Sequence, residues 1–191
     1  MTFRALAGLL LLLMAAFWAA PARSAPEIQG VYSLKLGQTR DEAKRALSED
    51  EHFRRIAARF FQGFPLYEVT LGGYQLYVHP RFQDGKLVEI ALQFRDQASP
   101  NDVGPVIHDQ LRFALDTLQT RFGEPDRTFL EIEEIGPRDF ENDERVVTHQ
   151  WSRKNRVAQL LLWQEGFTYG AEIVLAEEHA REPQRSPAEA F

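Results

Sequence analysis

Five histidines, at His52, His79, His108, His149 and His179, carry the side chains able to move protons or hold a metal near neutral pH. They stand singly. None has a second histidine four positions away and no H-E-x-x-H occurs, so no helix face offers paired imidazoles to zinc. His149 alternates with Trp151 in a run of strand character, which puts both on one face. A hydrolase or metal-dependent enzyme would have to gather acids around His149. The densest acidic run is Asp139, Glu141, Asp143 and Glu144, preceded by Glu131, Glu133 and Glu134. Carboxylates at every second position invite a calcium-loop reading. In that register, however, the sixth position is Glu144 rather than Gly and the twelfth is Gln150 rather than Glu. Arg138 and Arg145 dilute the charge, so the run reads as a solvated loop. Ser33, Ser48, Ser99, Ser152 and Ser186 lie outside any G-x-S-x-G, and neither G-x-G-x-x-G nor a P-loop occurs. No nucleophile has a recognisable base. The sequence asks for no catalysis, no cofactor and no metal.

Aromatic side chains give a softer lead. Tyr67, Tyr74 and Tyr77, with Phe64 and Phe82, crowd one hairpin region, while Trp151, Trp163 and Tyr169, with Phe167, crowd the last strands. Tyr74 and Tyr77 point to opposite sides of a regular strand, so both cannot face the same layer. Two readings stand: the aromatics pack a core, or Tyr67, Tyr74, Tyr77, Trp151, Trp163 and Tyr169 contribute to an adhesive face left uncovered by helix.

The elements that position these residues belong to one domain. Of the 191 residues, 1–24 have the pattern of a secretory signal peptide: Arg4, an apolar run at 5–20, then Ala20, Ala22 and Ser24. Removing it leaves 20 Lys and Arg against 28 Asp and Glu, a charge of −8 compared with −6 for the whole chain. That balance argues against nucleic acid, whose binders rest on basic patches. Cysteine is absent, which excludes disulfides, thiol catalysis and lipid attachment through an N-terminal cysteine. The expected location is the periplasm or outside the cell, with membrane contact only through an uncleaved leader.

Thr39 and Glu42 form a capping box that starts a helix over 40–47. Ser48 and Glu51 repeat the signature, and Phe53, Ile56, Ala57, Phe60 and Phe61 follow at helical spacing, predicting a second helix or a kinked continuation that stops at Gly63. Strands follow at 67–71 and 74–79 around Gly72-Gly73, and at 87–94 after Asp84-Gly85. Ile107, Leu111, Ala114, Leu115, Leu118 and Phe122 stripe a helix over 106–122 that Gly123 and Pro125 end. Further strands are predicted at 128–135, 146–152, 157–163 and 169–176. Short turns favour antiparallel pairing. The fold class is therefore α+β: an antiparallel sheet meander over 25–176 with helices packed on one face. It divides into two helix-plus-strands halves at 25–100 and 101–176, and residues 177–191 form a polar tail.

Leu36-Gly37-Gln38-Thr39-Arg40-Asp41-Glu42-Ala43 with Leu47 resembles the "LGMT-x-x-EV…L" helix start of SmpA/OmlA-like assembly lipoproteins and beta-lactamase-inhibitor-protein-like envelope domains. Leu118 and Arg121-Phe122-Gly123-Glu124-Pro125 resemble the "L…YG-x-P" helix exit found there. The resemblance implies helices on an antiparallel sheet and a binding or assembly role in the bacterial envelope, with no catalytic residue. The expected function is a secreted, periplasmic, non-enzymatic protein-interaction or envelope-assembly module with an envelope protein as partner. A carrier of a small apolar or lipid-like ligand, held between helices and sheet near Phe53, Phe60 and Phe61, is the alternative. An enzyme built on His149 ranks last.

Overall fold

In the computed structural model the described residues are 26–140 and 145–180. The proposed leader, most of the tail, and Glu141, Asp143 and Glu144 of the acidic run lie outside them. A two-stranded ribbon, β1 (Gly30–Val31) and β2 (Leu34–Lys35), leads into α1 (Arg40–Glu49). Four strands follow: β3 (Phe53–Phe61), β4 (Phe64–Leu71), β5 (Tyr74–Gln83) and β6 (Lys86–Phe94). After α2 (Val103–Phe122) come β7 (Arg127–Thr128), β8 (Arg145–Arg153), β9 (Arg156–Glu165) and β10 (Thr168–Glu177). The other eight strands form one sheet in the order β3-β4-β5-β6-β10-β9-β8-β7, antiparallel throughout. Each half is thus a helix followed by a four-strand meander. The last strands of the two halves, β6 and β10, pair in the middle, from Glu172↔Gln93 to Ala176↔Glu89.

Helix α1 begins where the capping box demands: Thr39 Oγ1 accepts from Glu42 N–H, and Thr39 N–H donates to Glu42 at 2.7 Å. Those bonds hold the Glu42 carboxyl below its usual range. Its other end is closed by Asp50, which accepts from Ser33 N–H at 3.1 Å and His52 N–H at 3.0 Å. Hydrogen bonds from Ser33 and His52 hold the Asp50 carboxyl far below the normal range. Helix α2 ends on Gly123 at φ +81°, as its sequence predicts. Trp151 Nε1 donates to Gly123 O at 2.8 Å and Arg153 Nη2 to Phe122 O at 2.7 Å, so two strand residues satisfy carbonyls the helix end leaves over.

Both helices pack against the same sheet face. Leu47 of α1 and Ile107, Leu111, Ala114 and Leu118 of α2 meet Leu76, Val78, Leu92, Phe94, Leu160 and Ile173 in one buried cluster.

Two elements depart from the sequence expectation. Residues 53–61 form strand β3, not a helix. Ser48 cannot act as a second cap because it lies in the last turn of α1, where its hydroxyl donates to Arg45 O. Pairing with β4 then overrides the helical spacing. The mismatch appears as a register shift: Arg55 pairs with Tyr67 but Phe60 with Pro65, leaving three extra residues on β3. Phe53 is buried while Phe60, near the far end of this edge strand, is largely exposed. The strand expected at 128–135 shrinks to β7, followed by 3₁₀ turns at Ile132–Glu134 and Pro137–Asp139.

The tight turns keep their sequence logic. Asp84 and Gly85 have φ of +50° and +75°, the signature of a type I′ turn. No atom lies within 4 Å of where a Gly85 Cβ would stand, so a side chain there costs only backbone energy. Gly85→Val is expected to lose about 1–2 kcal/mol, the cost of an L-residue held left-handed. Its thermal midpoint should drop by several degrees, with Gly85→Asn recovering most of the loss. Equal melting of wild type and Gly85→Val would show that the turn does not hold this geometry.

Candidate functional site

The face of the sheet opposite the helices carries a polar network. One cross-strand row on it runs Arg54, Glu68, Tyr77, Gln93, Glu172, Leu161 and Val147, spanning seven neighbouring strands in register. Further along, His79 lies opposite Ala91, and Arg81 opposite Glu89. Leu161, Val174, Ala91, Val157 and Ala176 form a second, smaller apolar cluster on this side.

Although no helix covers it, much of this face is buried, and one ion pair shows why. Arg145 on β8 lies level with Trp163 on β9 and Gly170 on β10, whereas Glu89 on β6 lies level with Ala176. On a flat sheet their backbones would stand about 14 Å apart across the strands and about 20 Å along them. Yet Arg145 Nη1 is 3.7 Å from Glu89 and its Nε is 3.0 Å from Glu172. The sheet is therefore coiled and rolled, with the helix-free side concave. Rolling also brings Phe61 on β3 and Trp163 on β9 to one cleft of about 340 Å³, floored by His79, Gln93, Arg145 and Glu172, with Gln164 and Glu165 at its lip.

Burial of three carboxylates here requires partners, because an unpaired buried charge costs several kcal/mol. Glu68 accepts from Arg54 and has Arg95 Nη1 at 4.0 Å. Glu89 accepts from Arg81 Nη2 at 3.0 Å and has Arg145 Nη1 at 3.7 Å. Glu172 takes Arg145. Arg81 also donates to Ala180 O at 2.6 Å, which ties down the first residues of the predicted tail.

Two contacts shape the cleft walls. A Cβ at Gly170 would sit 2.2 Å from Trp163 Cζ2, so the indole lies across a strand position that only glycine leaves open. Trp163 Nε1 is buried there and has no acceptor among the described residues. Phe61 stacks on the His79 imidazole with centroids 4.3 Å apart and planes 13° from parallel. Burial, then the Arg145 charge, pushes the His79 pKa down to about 4, so the ring is neutral at pH 7.

The six aromatics proposed from sequence do not share one face. Tyr67, Trp151 and Tyr169 are buried in the helix-side core, and Tyr74 packs there against Phe94 and Phe113. Those four are corrected from surface to core: helices and loops cover that side. Tyr77 and Trp163 alone belong to the concave face. His149 is buried, 3.0 Å from Thr148 Oγ1, with burial as the main influence lowering its pKa. Among the described residues no group of three or more His, Cys, Asp or Glu could hold a metal. The arginine–glutamate network went unread in the sequence. Its signal was present: Glu68, Glu89 and Glu172 are lone acids inside apolar strand segments.

Comparison with protein-family models, with curated proteins and with solved structures finds no match.

Gly170→Ala is expected to expel the Trp163 ring from the cleft wall, red-shifting part of the tryptophan emission while buried Trp151 stays unchanged. An unaltered spectrum would mean that the ring does not rest on Gly170. His79 should give a pH signature. Its folded pKa lies below the unfolded 6.5, so its contribution is intact above pH 6.5 and lost as pH falls towards about 4. In His79→Phe, chemical-denaturation stability should decline less between those pH values than in wild type. Parallel declines would put the imidazole in solvent.

Proposed function

We propose that this protein is a non-enzymatic interaction module of the bacterial cell envelope that holds another protein in the concave, helix-free face of its sheet. The observation that carries the reading is the cleft between Phe61 and Trp163, set in a face rich in arginine and aromatic side chains, the types that dominate protein interfaces. The signal-peptide pattern at 1–24 and the likeness of the helix boundaries to envelope assembly domains support a periplasmic setting. No helix of the described residues is long and apolar enough to cross a membrane.

A second reading has its own support. The cleft volume of about 340 Å³ lies within the range of small-molecule sites. A ligand carrier would therefore use this cleft rather than the layer between helices and sheet, where Phe94, Ile107 and Leu111 are fully buried in close contact.

A photoreactive amino acid placed at Tyr77, on the concave face, separates the readings. A control at Arg112, on the outer side of α2, accounts for chance encounters. In a bacterial host producing the full chain, the Tyr77 probe is expected to capture a defined protein that the Arg112 probe does not. Identical products from both positions, or a small molecule retained in native mass spectrometry with no protein adduct, would overturn the interaction reading.

A further inference from the structure

The ion pairs of the concave face are unequal in what they show to a partner. The side chains of Glu68, Glu89 and Glu172 are only 2–8 % exposed, whereas those of Arg54, Arg81, Arg95 and Arg145 are 35–72 % exposed. The carboxylates form the floor and the guanidiniums rise from it. A guanidinium has five N–H donors and no acceptor, and a single carboxylate engages only part of that fork. Each arginine is also fixed from below, Arg145 by Glu89 and Glu172 together and Arg95 by a further bond to Gln75 at 2.5 Å. A fixed side chain loses little entropy when a partner arrives. Glu165 at the lip is the one exposed acid among the cleft residues. Donors thus outnumber acceptors on the surface that a partner would touch, in a chain whose overall charge is −6.

Resting on the interaction reading above, we propose that the concave face recognises an acidic segment of its protein partner, its Asp and Glu carboxylates received by Arg145 at the cleft and by Arg54 and Arg95 beside Glu68 on the same face. Binding of this kind is governed by paired charge, so it weakens with ionic strength and depends on the bidentate shape of arginine rather than on positive charge alone.

The test uses the whole chain and three synthetic peptides: acetyl-Gly-Glu-Asp-Phe-Asp-Glu-Gly-amide, the same peptide with Gln and Asn for the acids, and one with Lys for the acids. Affinities are read by isothermal titration and the footprint by amide chemical shifts. The acidic peptide is expected to bind at least tenfold more tightly than the Gln/Asn form, to shift resonances on β3, at the end of β6 and on β8, and to weaken several-fold between 50 and 300 mM salt, as screening of exposed charges requires. Arg95→Gln and Arg54→Lys should each weaken it several-fold while Arg112→Gln on α2 leaves it unchanged. The Arg54 and Arg95 variants are informative because both side chains are well exposed and each single change leaves Glu68 a cationic partner. Equal affinity for the acidic and Gln/Asn peptides, or no binding by any of them, overturns the proposal. Tighter binding of the lysine peptide on the same resonances would also overturn it while leaving an interaction face intact. If the Tyr77 probe captures no protein as well, the interaction reading falls with it.

Discussion

The pairing of β6 with β10 is the constraint on which the remaining structure depends. Among the described residues it is where the two helix-plus-meander halves share a continuous ladder, and it runs through the middle of the eight-stranded sheet. On one side it sets Leu92 and Ile173 into the helix-side core. On the other it brings Gln93 beside Glu172 and Glu89 beside Ala176. A slip of one residue would exchange the two faces, sending the glutamates under α2 and the leucines into the cleft. Register at this ladder therefore decides both the core and the concave face.

The rolled shape follows from such register. Each half alone is a four-strand meander with one apolar face, and a sheet of eight strands twists and coils as it widens. Bulges at Arg55/Phe60, Arg81/Phe82 and Val147/His149 bend it further. The buried carboxylates then become tenable because curvature draws arginines from distant strands onto them. Arg145 reaches Glu89 only in a rolled sheet.

Much of this was legible in the residues. Thr39 with Glu42, Asp84-Gly85, Gly72-Gly73 and Gly123 each fixed a boundary because capping and left-handed turns are local chemistry. The α+β class and the two halves followed from those boundaries. Residues 53–61 were misread because Phe53, Ile56, Ala57 and Phe60 fit a helix, and only the pairing with β4, a non-local term, decides otherwise. The candidate site was the least legible. Periodicity assigns Tyr77 and Trp163 to a strand face but says nothing of which face the helices take. Neither does it say that Phe61 and Trp163, a hundred residues apart, will flank one cleft. Glu68, Glu89 and Glu172 could have been noticed as acids in apolar strands, yet their arginines lie on other strands.

The central ladder also has a consequence in time. β10 is the last long strand to be synthesised, and β6 waits for it while the whole second half is made. Through that interval β6 is an apolar edge with unsatisfied backbone groups, open to any other strand that can add to it. The middle of the finished sheet is thus its latest-closing seam. A ribosome releasing this chain holds a half-built sheet whose most adhesive strand is already outside.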